Sequence, residues 1–198
     1  MRAHIAIFSA SLLLIALACS LSEAVFTPPA TSPPATPLPI EPATPTPVGE
    51  SQAFHLEYPE GWKPVYEIFG LTPEPSYNQE FQAQEALSVG RKDMSAYCNV
   101  LVKDLAAGES LESAMRTAYQ VLDNYPNSQI SQATIQVNNL EAVEKVYRRP
   151  HGEPWYQVRD VWFQQGNRLI VLSCWAHPED YQAALPEFEA ILQSMRFP

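Results

Sequence analysis

The chain has 198 residues and a formal net charge of -10, with 12 Lys and Arg against 22 Asp and Glu. This excess of acid repels nucleic acid and anionic lipid headgroups, which argues against nucleic-acid binding and against purely electrostatic attachment to a membrane. At 46% hydrophobic and 11% aromatic residues, the chain can still bury a sizeable core.

Arg2 supplies a positive start, and residues 5–17 form an apolar run broken only by small Ser and Ala. A bilayer span needs about 20 apolar residues, so this run is short for a membrane helix and has the plan of an export signal. Ala16, Leu17 and Ala18 then precede Cys19. The segment resembles a bacterial lipoprotein signal, in which the cysteine after the cleavage site becomes the lipidated N-terminus. That family usually has Leu three residues before the cysteine and a small residue two before, where this chain has Ala16 and Leu17. The resemblance implies that residues 1–18 are removed, that Cys19 is lipidated, and that the mature protein sits on the outer face of the bacterial plasma membrane, or is periplasmic or at the cell surface. Several acyl chains anchor firmly, at about 0.8 kcal/mol per buried CH₂. An ordinary secretory cut near Ala18, giving a soluble secreted protein, is the alternative.

Residues 19–50 read as the anchor cysteine followed by a tether. Nine of the 19 prolines fall between positions 28 and 47, among Thr, Ala and Ser, and no Lys or Arg stands between Arg2 and Lys63. Such a stretch buries too little apolar surface to offset its chain entropy, and its prolines favour an extended spacer.

Residues 51–198 have the length of one domain. Phe54, Leu56 and Tyr58 alternate with polar residues ahead of a Pro59–Gly61 turn. Residues 62–69 and 86–90 read as short strands, with 70–85 a long surface loop containing Pro73 and Pro75. Residues 97–105 form another strand. Ser110 is a good N-cap, and Leu111, Ala114, Met115, Ala118, Val121, Leu122 and Tyr125 follow at helical spacing, ended by Asn124 and Pro126. The period then returns to two. Residues 129–137, 140–148, 155–164 and 168–176 read as four strands, joined by Asn138-Asn139, His151-Gly152-Glu153 and Gly166-Asn167, whose chemistry suits antiparallel turns. Pro178 suits the first turn of a last helix. Pro186 should interrupt it, leaving a regular part from 186 to 195. Residues 155–164 carry large apolar groups on both faces, as in a central strand covered from both sides. The expected fold is α+β: an antiparallel sheet sandwiched between two helices, one inserted mid-chain and one at the C-terminus.

The chemistry-bearing residues are sparse. With Cys19 lipidated, Cys98 and Cys174 remain as a candidate disulfide pair; two separately buried thiols are the alternative. His55, His151 and His177 have no metal-ligand spacing, and no nucleophile elbow, P-loop or zinc motif occurs, so neither metal nor cofactor is expected. Glu141/Glu144, Glu179/Asp180 and Glu187/Glu189 are solvated acids or, alternatively, a weak divalent-cation site. Arg148-Arg149 decorates a strand end or meets an anionic partner. Tyr66, Tyr97, Trp155 and Trp175 either pack the core or line an aromatic pocket.

Four segments carry a family resemblance: residues 54–62 (FHLEYPEGW), Ser110-Leu-Glu at the first helix, Asn139-Leu-Glu-Ala before a strand, and residues 188–197 (FEAILQSMRF) at the end. Over residues 52–198 the domain resembles the PsbP-like superfamily, which includes the extrinsic photosystem II protein, lipoproteins of the LpqN and DcrB kind, and a nuclear Ran-release factor. The resemblance implies the α-β-α fold and a non-catalytic role in binding proteins, ions or membranes. It carries no ligand residue across; a photosynthetic role would follow only from the best-known relative, with no independent sign in the sequence, and the export signal excludes the nuclear role. The expected function is an extracytoplasmic, lipid-anchored, non-enzymatic binding or assembly module of unknown partner. A small-ligand or ion carrier is the alternative. The 70–85 loop and the 149–154 turn are the expected contact surfaces.

Overall fold

The computed structural model describes residues 48–50, 52–128, 130–150 and 155–198. Cys19 and His151 lie outside the described residues. The elements are β1 (Val48–Glu50), β2 (His55–Glu57), β3 (Trp62–Pro64), α1 (Val65–Ile68), β4 (Ser76–Asn78), β5 (Ala83–Arg91), β6 (Ala96–Asp104), α2 (Leu111–Tyr119), β7 (Ser131–Val137), β8 (Leu140–Pro150), β9 (Trp155–Gln165), β10 (Arg168–Ala176) and α3 (Tyr181–Ser194). The protein is α+β, with β1 and β2 paired apart from a large antiparallel sheet ordered β3-β5-β6-β10-β9-β8-β7, and β4 also on β5.

The centre of the sheet follows directly from composition. Along β10, Ile170, Leu172 and Cys174 enter one core cluster, while Leu169, Val171 and Trp175 enter another. The alternation follows from the pleat, in which neighbouring side chains of a strand point to opposite faces. The first cluster takes Ala184, Phe188, Ile191 and Leu192 of α3. The second takes Ala114, Met115, Ala118 and Tyr119 of α2. Topology explains where α2 sits. The chain leaves β6 beside β10 and must re-enter at β7, beyond β10, β9 and β8. Ser110 and Ser113 start the helix with reciprocal side-chain to backbone hydrogen bonds, a capping box. The α-helix stops at Tyr119, and its expected last turn is the 3₁₀ segment Gln120–Asn124.

The turn at Asn138 and Asn139 has φ of +50° and +66°. Both values fall where asparagine is tolerated, and together they make the two-residue hairpin between β7 and β8. The C-terminus is tied back to β2, where His55 N–H donates to the Arg196 carbonyl at 2.9 Å and Arg196 N–H donates to the His55 carbonyl at 2.8 Å.

Four expectations need correction. Residues 62–69 are not one strand, because Pro64 ends β3 and Val65–Ile68 turn into α1. The 70–85 segment is not all loop, because β4 pairs with β5 through Ser76↔Glu85 and Asn78↔Ala83. β1 falls inside the stretch expected to be tether. Finally, α3 runs unbroken from Tyr181 through Pro186. Pro186 and Gln182, whose carbonyl loses its hydrogen-bond donor, are both exposed, so the carbonyl is open to solvent and the ring does not enter the core.

Candidate functional site

The least expected polar feature is at the middle of the sheet. Asp160 in β9 is completely buried. Register places it beside Lys145 of β8 and Ser173 of β10. Its Oδ2 accepts from the Tyr119 hydroxyl at 2.7 Å and the Tyr147 hydroxyl at 2.9 Å, and its Oδ1 accepts from the Ser173 hydroxyl at 2.5 Å. The indole N–H of Trp162 donates to Tyr119 Oη at 2.8 Å, and that of Trp175 donates to Ser173 Oγ at 2.8 Å. The Lys145 ammonium lies 4.3 Å from the centre of the Tyr119 ring. Loss of solvent raises the Asp160 pKa to about 6, against the lowering effect of the three hydroxyl donors. Every oxygen is engaged and none meets solvent, so this carboxylate organises the core and does not face a substrate.

At the end of the same face, the guanidinium of Arg149 is held by Glu80, with Nη1 at 2.5 Å from both carboxylate oxygens, and lies 5.0 Å from the Trp175 ring centre. Only 13% of the Arg149 side chain is exposed. Arg149 is therefore not a free cation for an anionic partner. It fastens the turn before β5 onto β8. Arg148 N–H donates to the Ser128 carbonyl at 2.8 Å. Of the four aromatic residues singled out, Tyr97 and Trp175 come together, stacked at 5.8 Å and 15° with Tyr156 edge-on to both. Trp155 instead meets Tyr125 at 6.1 Å, and Tyr66 belongs to α1. Burial first, then Tyr156 and Glu85, push the Tyr97 hydroxyl well above its ordinary pKa. Replacing Arg149 with methionine leaves Glu80 without its partner. The expected loss is about 2 kcal/mol, read as a lower urea midpoint with unchanged slope. An unchanged midpoint would show that the pair is neutral.

Three acids of the expected clusters, Glu144, Glu187 and Glu189, are used in the fold. Glu144 and Glu189 both hold Arg159, at 2.7 and 2.9 Å, and Glu187 holds Arg91 at 2.7 Å. Among the described residues no group of His, Cys, Asp or Glu is arranged to hold a metal ion. His177 packs on the Tyr156 ring at 4.6 Å. Cys98 and Cys174 stand directly opposite each other in the β6–β10 register and are joined by a disulfide.

The open surface lies between α1 and β5. Phe69, Leu71 and Tyr77 are 58%, 63% and 63% exposed, a concentration of large apolar side chains within nine residues. Of the three, Leu71 lines a groove of about 480 Å³ together with Tyr66, Pro73 and Leu87, with Glu85 at its polar edge. Glu85 accepts from the Ser76 hydroxyl at 3.1 Å and from the Ser88 hydroxyl. The β5–β6 register slips between Glu85 and Leu87, a bulge of the kind that re-aims side chains at sheet edges. A second hollow of about 430 Å³ shares Pro73 and Glu85 with the first. The arrangement suits insertion of an apolar side chain flanked by a hydrogen-bond donor or a positive charge. The loop reading of 70–85 pointed near this surface. It missed Phe69, and the signal available was three large apolar residues in a segment too broken by Gly and Pro to bury them.

No family model and no curated protein matches the chain. Among solved structures it is similar to the cyanobacterial PsbP (CyanoP) of Synechocystis sp. PCC 6803, with a TM-score of 0.54 at 10% identity over 84% of this chain and 100% of the other. It is also similar to LpqN of Mycobacterium tuberculosis, described as involved in cell envelope biogenesis, with a TM-score of 0.52 at 12% identity over 78% of this chain and 87% of the other.

Proposed function

Starting from a domain of PsbP-like fold, we propose that the protein is an extracytoplasmic accessory module, held at the outer face of the membrane through Cys19 and serving to bind or assemble a protein partner without catalysis. The α-β-α reading belongs to this proposal: two helices shield the sheet and leave its edges and loops for contact. The observation that carries the binding role is the exposure of Phe69, Leu71 and Tyr77 within nine residues, with Leu71 lining the groove. Large apolar groups collected on one surface mark interaction sites in soluble domains. Among the described residues no helix is long and apolar enough to cross a membrane; the attachment proposed is through the N-terminal signal. LpqN, a neighbour of the same fold, is described as involved in cell envelope biogenesis, and an envelope-facing role agrees with the Pro-rich spacer and the lipid signal. The groove volume also falls in the range of small-ligand pockets, which keeps a carrier role as the second reading.

Two measurements test the proposal. Mass spectrometry of the mature N-terminus should find an acylated Cys19, and an unmodified terminus would remove the anchor. Crosslinking on intact membranes should recover a defined partner with the parent chain and lose it, at least tenfold, with Leu71→Glu and Tyr77→Ser combined. Both positions are solvent-exposed, so the melting temperature should hold. Equal recovery would move the contact elsewhere. A small molecule retained by the parent and absent from the variant would favour the carrier instead.

A further inference from the structure

The two edges of the large sheet are built in different ways. At one edge β3 and β4 are three residues each, share β5, and are interrupted by Pro64 and α1. Short edge strands and proline are common devices against unwanted strand pairing. At the other edge stands β7, seven residues long, which among the described residues pairs with β8 alone. Ser131, Gln132, Ala133, Thr134 and Gln136 are exposed. The strand has no Pro, Lys or acid, and among the described residues none of the usual edge devices guards it. It lies within Asn124–Leu140, 17 residues without a charge, the longest such run in the domain of a chain whose net charge is -10. Ile130, 45% exposed, and Tyr125, 36% exposed, flank its start.

We infer that β7 is a pairing edge for the β7 of a second copy of this chain, joined antiparallel about a two-fold axis at Thr134. Three observations select a second copy over another occupant. The first is the pattern of the strand itself. The two-fold register sets Thr134 opposite Thr134, Gln132 opposite Gln136 and Ala133 opposite Ile135. Hydroxyl meets hydroxyl, amide meets amide and apolar meets apolar, the combinations that stabilise cross-strand pairs. The second is the sheet face. Ile135 packs against the same core cluster that buries Val137, so apposed Ala133 and Ile135 side chains continue that core across the axis. The third is charge. Two acidic copies repel, and strand pairing brings backbones to within about 5 Å. The charge-free run is where that approach meets least opposition. A contact of this kind is isologous and closes as a dimer. A single strand pair buries less than a standard interface, so the association is weak and concentration-dependent.

The test uses the exported full chain carrying Cys19→Ser. Sedimentation equilibrium from about 1 µM to about 1 mM should show a monomer–dimer equilibrium. Thr134→Lys places two like charges face to face across the axis and should raise the dissociation constant at least tenfold, with the melting temperature kept. Gln182→Lys adds the same charge at an exposed position on α3 and should leave it unchanged. Thr134→Cys, oxidised in air, should give a covalent dimer, and Gln182→Cys should not. A chain that stays monomeric throughout and yields no Thr134→Cys dimer overturns the inference. So does a dimer indifferent to Thr134→Lys, which would use another surface.

Discussion

Replacing Asp160 with alanine is expected to cost about 4 kcal/mol or more, lowering the melting temperature by about 10 °C or more. The reason is the number of donors that converge on one carboxylate. Tyr119, Tyr147 and Ser173 all aim hydroxyls at Asp160, and all four residues are buried. Alanine removes the shared acceptor and leaves three donors in a space without water, each costing about 1–3 kcal/mol if it finds no substitute. The two indole N–H groups that donate to Tyr119 and Ser173 then lose the order of their acceptors as well. Asp160→Asn keeps the shape but turns one acceptor into a donor, so a smaller loss is expected.

The pH dependence of the same site has a definite sign. Burial raises the Asp160 pKa from 3.8 to about 6, with Glu80 acting in the same direction and the three hydroxyls against it. Between those two values the folded protein holds a proton that the unfolded chain has released. The folded state is therefore favoured most below pH 4, and that contribution falls as pH rises to about 6, by about 3 kcal/mol in total. The measurement is the stability difference between the parent and Asp160→Asn from pH 4 to pH 7. Subtraction removes the other carboxylates, which are common to both chains. The difference should shrink as pH rises through this window. A flat difference would mean that the hydroxyl donors offset desolvation fully. A rising one would mean that they outweigh it.

How far the sequence revealed this molecule depends on the range of the interaction. β10 was legible over its full length as an apolar run after the Gly166-Asn167 turn, and the interior place of β9 was legible because residues 155–164 carry large apolar groups on both faces. The Asn138-Asn139 hairpin and the Ser110 start of α2 were legible because turn and cap chemistry acts over two to four residues. α3 was misjudged at Pro186, because tolerance of that proline depends on its facing solvent, which only the packed helix determines. The polar core was not legible at all. Asp160 stands between Arg159 and Val161 with nothing local to mark it. Its donors come from α2, β8 and β10, at separations of 41, 13 and 13 residues. A partial signal existed, since Tyr147, Asp160 and Ser173 occupy inward positions of three consecutive hairpin strands. Using it required the register of all three. Arg149 shows the same limit. Its neighbour Arg148 suggested a basic patch, but Glu80, 69 residues away, neutralises it.

Reduction of the Cys98–Cys174 bridge is expected to remove roughly 4 kcal/mol, a fall of about 8–16 °C in melting temperature. The bridge spans 76 residues and encloses α2, β7, β8 and β9. Its ends lie opposite each other on β6 and β10, two neighbours at the centre of the sheet. The folded state holds those strands together by hydrogen bonding and by the cluster around Val100 and Leu172, so the bond adds little order to it. The unfolded chain loses much more freedom, because the bridge closes a long loop that is otherwise open. The double variant Cys98→Ala/Cys174→Ala tests this without reductant. It should match the reduced parent to within the small cost of two buried sulfur atoms, and its folded spectrum should be unchanged. A thiol count on the unfolded, unreduced Cys19→Ser chain should read none. Two reactive thiols would show that the cysteines pack unjoined, and would also weaken the exported reading, since a bridge of this kind persists in oxidising compartments.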